Sequence, residues 1–396
     1  MPKQSDNTSG SRRGSRISPR DFLTFSTLAK LPSNLATMRR FMGAVNWQTA
    51  QDDVRGEMRH KVAILGLANS GKSTLFNTLR GRYESAVAAE EGTTKTMVRG
   101  EFGPFQLIDT PGHLPDVQDQ AVEEAAAVVY LLDASQGLRA QDTTIISKLR
   151  LSEKPLVVAL NKADLLRDGA DEASAEAAAR LHIRDVIPIS SRTGDNIGEE
   201  LIPAIIETSQ EAALAIGRAL PQYRRRAANK LVRTAAMVSL VAGLEPIPLI
   251  DIPVLLANQI RLVVRIAALY SEPLGSKPTR ELFGTVGMGL FFRYLAEQAA
   301  KAVPFGGDLI SGAIAGAGTW ALGQVAVEYF EGGKQLSSTQ LRELFTRLYS
   351  RYRSEGVGDE LFDEALKQQQ QQSSRVTYSI REEPPTPVDS DERVYP

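Results

Sequence analysis

An apolar run, Lys61-Val62-Ala63-Ile64-Leu65, passes without a spacer into Gly66-Leu67-Ala68-Asn69-Ser70-Gly71-Lys72-Ser73 and then into the helical stretch Thr74-Leu75-Phe76-Asn77-Thr78-Leu79. Strand, glycine-rich turn and helix in direct succession are what a phosphate-binding loop requires. Gly66 and Gly71 let the backbone fold tightly round an anion. The N–H groups of the loop, through Asn69, Ser70 and on to Thr74 at the helix N-terminus, then point at phosphate. Lys72 is expected to reach the β- and γ-phosphates, for catalysis as well as binding, and Ser73 to ligate magnesium. The motif implies a nucleoside triphosphate without choosing its base.

From Lys61 to about Glu207 short Val/Ile/Leu runs alternate with helical stretches. Strands are expected at Lys61–Leu65, Met97–Phe102, Phe105–Ile108, Val128–Leu132, Leu156–Leu160 and Val186–Ile189. Such alternation predicts an α/β fold, a mostly parallel doubly wound sheet whose ligands bind beyond the carboxyl ends of the strands. The chain has 396 residues, long enough for a second core. The expected organisation is a basic disordered tail over 1–35, a short lead-in helix in 36–58, a nucleotide domain over 59–210 and a hydrophobic all-α domain over 213–333. An amphipathic helix over 337–367 and a disordered tail over 368–396 complete it. A net charge of −1 supplies no global field towards nucleic acid or acidic lipid, and the chain has no cysteine for disulfides or thiolate metal sites. The Arg/Ser-rich start lacks the apolar core of a secretory signal.

The other motifs fall at strand tips. Phe105–Ile108 ends in Asp109-Thr110-Pro111-Gly112-His113. A carboxylate there suits magnesium, and the Gly112 N–H meets a γ-phosphate and moves when that group leaves. In the polar stretch Arg82–Thr96, Thr94 is chosen narrowly over Thr93 to complete the magnesium shell in the triphosphate state. Leu156–Leu160 ends in Asn161-Lys162-Ala163-Asp164. An Asp carboxylate accepts from the N1–H and exocyclic amino group of guanine, a donor pair adenine lacks. Asn161 is to hold the neighbouring loops and the purine edge, and the Lys162 stem to cover the ring. Val186–Ile189 delivers Ser190-Ser191-Arg192, with the Ser191 N–H expected to meet guanine O6.

Together these motifs resemble those of the Era/TrmE-type bacterial GTPases within the P-loop GTPase superfamily, over about residues 58–210. The resemblance implies a Ras-like fold, GTP and GDP as ligands, Mg2+, slow hydrolysis and movable switch loops. Asn69 matches the position at which potassium-stimulated members hold K+. Ala68 departs from a usual proline. His113 stands where many close relatives carry a hydrophobic residue and other GTPases a water-orienting side chain. A role in positioning the attacking water is therefore weighed equally against a solvated loop histidine.

The second half differs in material. A basic run, Arg224-Arg225-Arg226 with Lys230 and Arg233, precedes the apolar stretch Thr234–Leu244, and prolines at 246, 248 and 253 break the helix. Further helices are expected at Val254–Tyr270, Leu282–Ala302 and Leu309–Val327. The last is free of charge and carries Gly312-Ala313-Ile314-Ala315-Gly316, a small-residue face suited to close helix packing in a bilayer or in a soluble core. Glu245, Asp251, Arg261 and Arg265 weigh against a simple pair of spans in the first hairpin. Residues 213–333, through Pro246-Ile247-Pro248-Leu249-Ile250-Asp251-Ile252-Pro253, also resemble an uncharacterised hydrophobic domain appended to bacterial and plastid GTPases. Many of its members are regarded as membrane proteins. The resulting expectation is a GTP-hydrolysing switch at the cytoplasmic face of a membrane, touching lipid through 213–333. A soluble cytoplasmic form is the alternative. Action on ribosome or RNA is a second function, not favoured at this net charge, and a GTP-binding membrane scaffold with negligible hydrolysis a third. DNA is not expected as a partner, and self-association is left open. Finally, Ser337 to Gln340 reads as a capping box opening a helix whose apolar face is Leu341, Leu344, Phe345, Leu348, Tyr349 and Tyr352.

Overall fold

A computed structural model describes residues 47–89, 101–108, 120–243, 251–287 and 308–354. In the first half, helix α1 (Trp47–Glu57) leads to β1 (Val62–Gly66), α2 (Lys72–Ala89), the hairpin β2 (Glu101–Phe102) and β3 (Phe105–Leu107), α3 (Gln120–Glu123), β4 (Ala127–Asp133), α4 (Ala140–Leu151), β5 (Leu156–Asn161), α5 (Ala170–Leu181) and β6 (Ile187–Ile189). The six strands form one sheet in the order β2-β3-β1-β4-β5-β6. Every pairing is parallel except β2 with β3. All residues of β1 and β4 are buried, which is why both read as unbroken apolar runs in sequence. Register sets Gly66 beside Leu131 and Asp133 beside Asn161, so the strands deliver their motif loops to one edge. Of the strand expected over 97–102, Glu101 and Phe102 are observed, and 97–100 lie outside the described residues.

The second half is helical: α6 (Ile202–Thr208), α7 (Gln210–Ala219), α8 (Arg224–Gly243), α9 (Asp251–Leu269), α10 (Lys277–Leu282), α11 (Asp308–Glu331) and α12 (Ser338–Ser354). Ser276 caps α10 by accepting the Thr279 N–H, so this helix starts before the expected Leu282 and passes into a π turn, Phe283–Gly287. Residues 288–302 of the expected helix lie outside the described residues. The capping box at Ser337 is present, with Ser337 N–H donating to Gln340 Oε1 (2.8 Å) and Gln340 N–H to Ser337 Oγ (3.3 Å).

Helix α11 carries no charge over its middle turns because it is wrapped by α8, α9 and α12. Its small residues admit α8: a Cβ on Gly316 would stand 3.1 Å from Leu240 Cβ, and one on Gly323 2.6 Å from Val232 Cγ2. A buried polar chain threads the three helices. Gln259 Nε2 donates to Thr319 Oγ1, Thr319 Oγ1 to Ser239 Oγ, and Asn258 Nδ2 to both Ser239 Oγ and Ala235 O. Among the described residues no helix is long and apolar enough to cross a membrane.

Helix α1 precedes the sheet but packs into the helical half. Trp47 meets Phe283 edge-on at 5.4 Å. The buried Glu57 carboxylate accepts two 2.7 Å hydrogen bonds from Arg265 and is also reached by Arg261. The two arginines that counted against a bilayer hairpin are thus partners of a helix about two hundred residues upstream. After the last strand, Ser209 joins the two halves again. Its Oγ accepts the Ala212 N–H, capping α7, and donates to Ala126 O just before β4. Both junctions lie at the amino ends of the strands, opposite the motif loops.

Candidate nucleotide site

The loop between β1 and α2 is shaped by two left-handed glycines and one Asn. Gly66 has φ 153, Asn69 φ 64 and Gly71 φ 92. A Cβ on Gly71 would come within 2.2 Å of Asn161 Nδ2, and one on Gly66 within 2.7 Å of Leu131 O. Glycine is therefore demanded twice over, by conformation and by space. Lys72 Nζ donates to Gly66 O (3.0 Å) and Leu67 O (3.2 Å), which closes its ammonium over the loop. Ser73 and Thr74 are exposed at the start of α2, as is Asn69 on the loop.

Asn161, the last residue of β5, ties three loops together. Its Nδ2 donates to Ser70 O at 2.7 Å, and its Oδ1 accepts the Ser191 N–H at 2.9 Å. Thr78 of α2 adds a 2.7 Å bond to Ser191 O. The Ser191 amide expected to meet guanine O6 is here committed to Asn161, because Ser191 lies against the end of β5 rather than facing out of the loop. Asp164 stands in the next turn, its Oδ1 accepting from Ser190 Oγ and its Oδ2 from Arg192, both at 2.7 Å. The Ser190 hydroxyl first, then Arg192, hold its carboxyl below the ordinary 3.8. Two acceptor oxygens thus stay charged at the edge of the site.

Ser70 and Ser191 are buried, and neither hydroxyl has a hydrogen-bond partner among the described residues. What fits a ligand is the glycine loop running into a helix N-terminus beside a fixed carboxylate, which together suit an anionic phosphate and a hydrogen-bond-donating edge. Of the magnesium set, Ser73 lies at the helix N-terminus, while Asp109 and Thr94 fall outside the described residues, with Gly112 and His113. Sequence reasoning passed over Asp133 and Thr78. Asp133 ends β4 before an Asp-Ala turn and is brought in by the strand register, whereas Thr78, five residues after Ser73 on α2, is brought in by its bond to Ser191 O.

A mostly parallel sheet with a glycine loop after its first strand, a fixed Asp after β5 and an Asn that ties the two loops together is the arrangement of a P-loop GTPase fold. Residues 61–162 match the family described as "50S ribosome-binding GTPase", and residues 208–354 match a "Domain of unknown function (DUF697)". The chain is similar to "GTPase Der" of Desulforudis audaxviator, 30% identical over 207 residues, covering 48% of this chain and 46% of that protein. It is similar also to "GTPase Der" of Myxococcus xanthus, 37% identical over 164 residues, or 38% of this chain and 35% of that one. The chain therefore spans less than half the length of these curated relatives. The chain is also similar to a crystal structure of an SsGBP mutation variant, over 39% of this chain and 57% of that one, at 24% identity and a TM-score of 0.25.

Proposed function

We propose that this chain binds GTP and hydrolyses it to GDP and phosphate as a molecular switch read by its helical half. The observation that carries this is the Asn161 tie, which fixes the phosphate loop and the Asp164 loop in one unit. In use, Lys72 leaves the loop carbonyls for the β- and γ-phosphates, and loop N–H groups take the remaining charge. Mg2+ would be held by Ser73 with Asp109 and Thr94, neutralising charge on the transferred group. His113 is placed in sequence to position water. Asn69, exposed on the loop, is the proposed ligand for K+, and equal turnover in sodium and potassium would remove that role.

Within the class we keep the Era/TrmE type, and we keep lipid as the contact of the helical half at the cytoplasmic face of a membrane. Support for lipid comes from Val238, Val241 and Val254, exposed by 43%, 40% and 52%, which flank residues 244–250, apolar apart from Glu245, between α8 and α9. Action on the ribosome is the second reading, favoured by the description of the matched family. Titration calorimetry should show GTP and GDP binding with Mg2+ and no competition by ATP. Lys72→Ala should abolish turnover, and Asp164→Asn should shift preference towards xanthine nucleotides. Tight ATP binding would end the proposal. Flotation with anionic vesicles against co-sedimentation with ribosomes separates the two partners.

A further inference from the structure

Asp133 lies outside the motifs that carry the reading above, yet its surroundings are those of a dedicated part. It ends β4 beside Asn161 in the strand register, and Ala134 N–H bonds to Asn161 O at 3.0 Å. The residue is 1% exposed. Its two carboxylate oxygens have separate duties. Oδ1 accepts from the Ser135 N–H (2.9 Å) and the Ser135 hydroxyl (2.6 Å), which closes the turn after the strand. Oδ2 accepts from Lys162 Nζ at 2.7 Å.

The turn alone does not call for a charge, since Asn closes an Asx turn as well as Asp does. Burying a carboxylate is costly unless a cation meets it. Burial pushes the Asp133 carboxyl up, and the bonds from Lys162 and Ser135 outweigh that, leaving it below its ordinary 3.8. The negative charge at 133 is therefore used by Lys162. Lys162 sits between the loop-tying Asn161 and the base-reading Asp164, in the left-handed region at φ 66. Its long stem has many rotamers when the ammonium is free, and ordering it on each binding event would cost affinity.

We infer that Asp133 is a positioning residue for the base: by anchoring the Lys162 ammonium beneath the loop, it fixes the Lys162 stem as a preformed wall against which a guanine ring lies. This rests on the nucleotide site proposed above. Because the wall touches the ring and not its hydrogen-bonding edge, it raises affinity for purine nucleotides without choosing among them; Asp164 does the choosing.

The test is calorimetric titration of the full chain with GDP, GTP and ITP, whose base lacks the amino group that Asp164 reads. Asp133→Asn keeps an acceptor for Ser135 and removes the charge facing Lys162. It should weaken all three ligands by about three- to ten-fold with the GTP-to-ITP ratio unchanged. Asp164→Asn should instead change that ratio. In a Lys162→Ala background, Asp133→Asn should add no further loss. A full loss in that background, wild-type affinity in Asp133→Asn, or a changed ratio overturns the inference. Should Asp133→Asn fail to fold, Ser135→Ala takes its place, since it loosens the carboxylate without removing it. Its weakening should likewise vanish in Lys162→Ala, and persistence there overturns the inference. If the wild-type chain does not bind GTP, the nucleotide reading falls before any variant is compared.

Discussion

Asp164 is the residue proposed to choose the base, and its neighbours set how its charge responds to acid. Its carboxyl is held below 3.8 by Ser190 and then by Arg192. A lowered folded value contributes stability that is fully present above the unfolded value and is lost as pH falls through the folded one. Arg192→Ala removes one donor, so the loss should move to higher pH, towards 3.8. Nuclear magnetic resonance titration of the Asp164 carboxyl would read this directly, and an unchanged midpoint would assign the whole effect to Ser190. Asn161, Lys162 and Asp164 were legible in sequence because one short loop holds them in a fixed spacing. Asp133 was not, since the 29 residues separating it from Lys162 carry no shared pattern and only adjacent strand ends join them.

At the scale of elements, α7 depends on a single hydroxyl. Ser209 satisfies the Ala212 N–H and reaches Ala126 O, so one side chain both starts the helix and fastens it below β4. Ser209→Ala should cost about 0.5–2 kcal/mol, as loss of an N-cap usually does, read by urea unfolding. A cost below that range would mean water replaces both bonds. The strands of the sheet were legible because buried parallel strands must be apolar throughout. Helix α11 was legible as a helix but not in its setting. A charge-free run of small and aliphatic residues satisfies a bilayer and a three-sided helical envelope equally, and only the approach of Gly316 and Gly323 to α8 shows what surrounds it here. The buried Ser239, Asn258, Gln259 and Thr319 chain was likewise invisible, because each is an isolated polar residue in its own helix.

Across the whole molecule, the decisive contact is between Glu57 and Arg265, 208 residues apart and both buried. Breaking one partner of a buried pair strands the other charge and typically costs about 3–5 kcal/mol. Glu57→Ala should therefore destabilise the chain by that order in denaturant unfolding, and a change under about 1 kcal/mol would mean the arginine finds water. No local pattern announced this, since α1 sits immediately before β1 and its partner lies beyond the entire sheet. The topology also orders events during synthesis. Helix α1 leaves the ribosome long before α9 exists, so the sheet can close around its own core while α1 waits with its tryptophan and glutamate unmatched. The clasp snaps shut only when the late helices arrive, and a chain halted before them would carry a finished sheet with an orphaned leading helix.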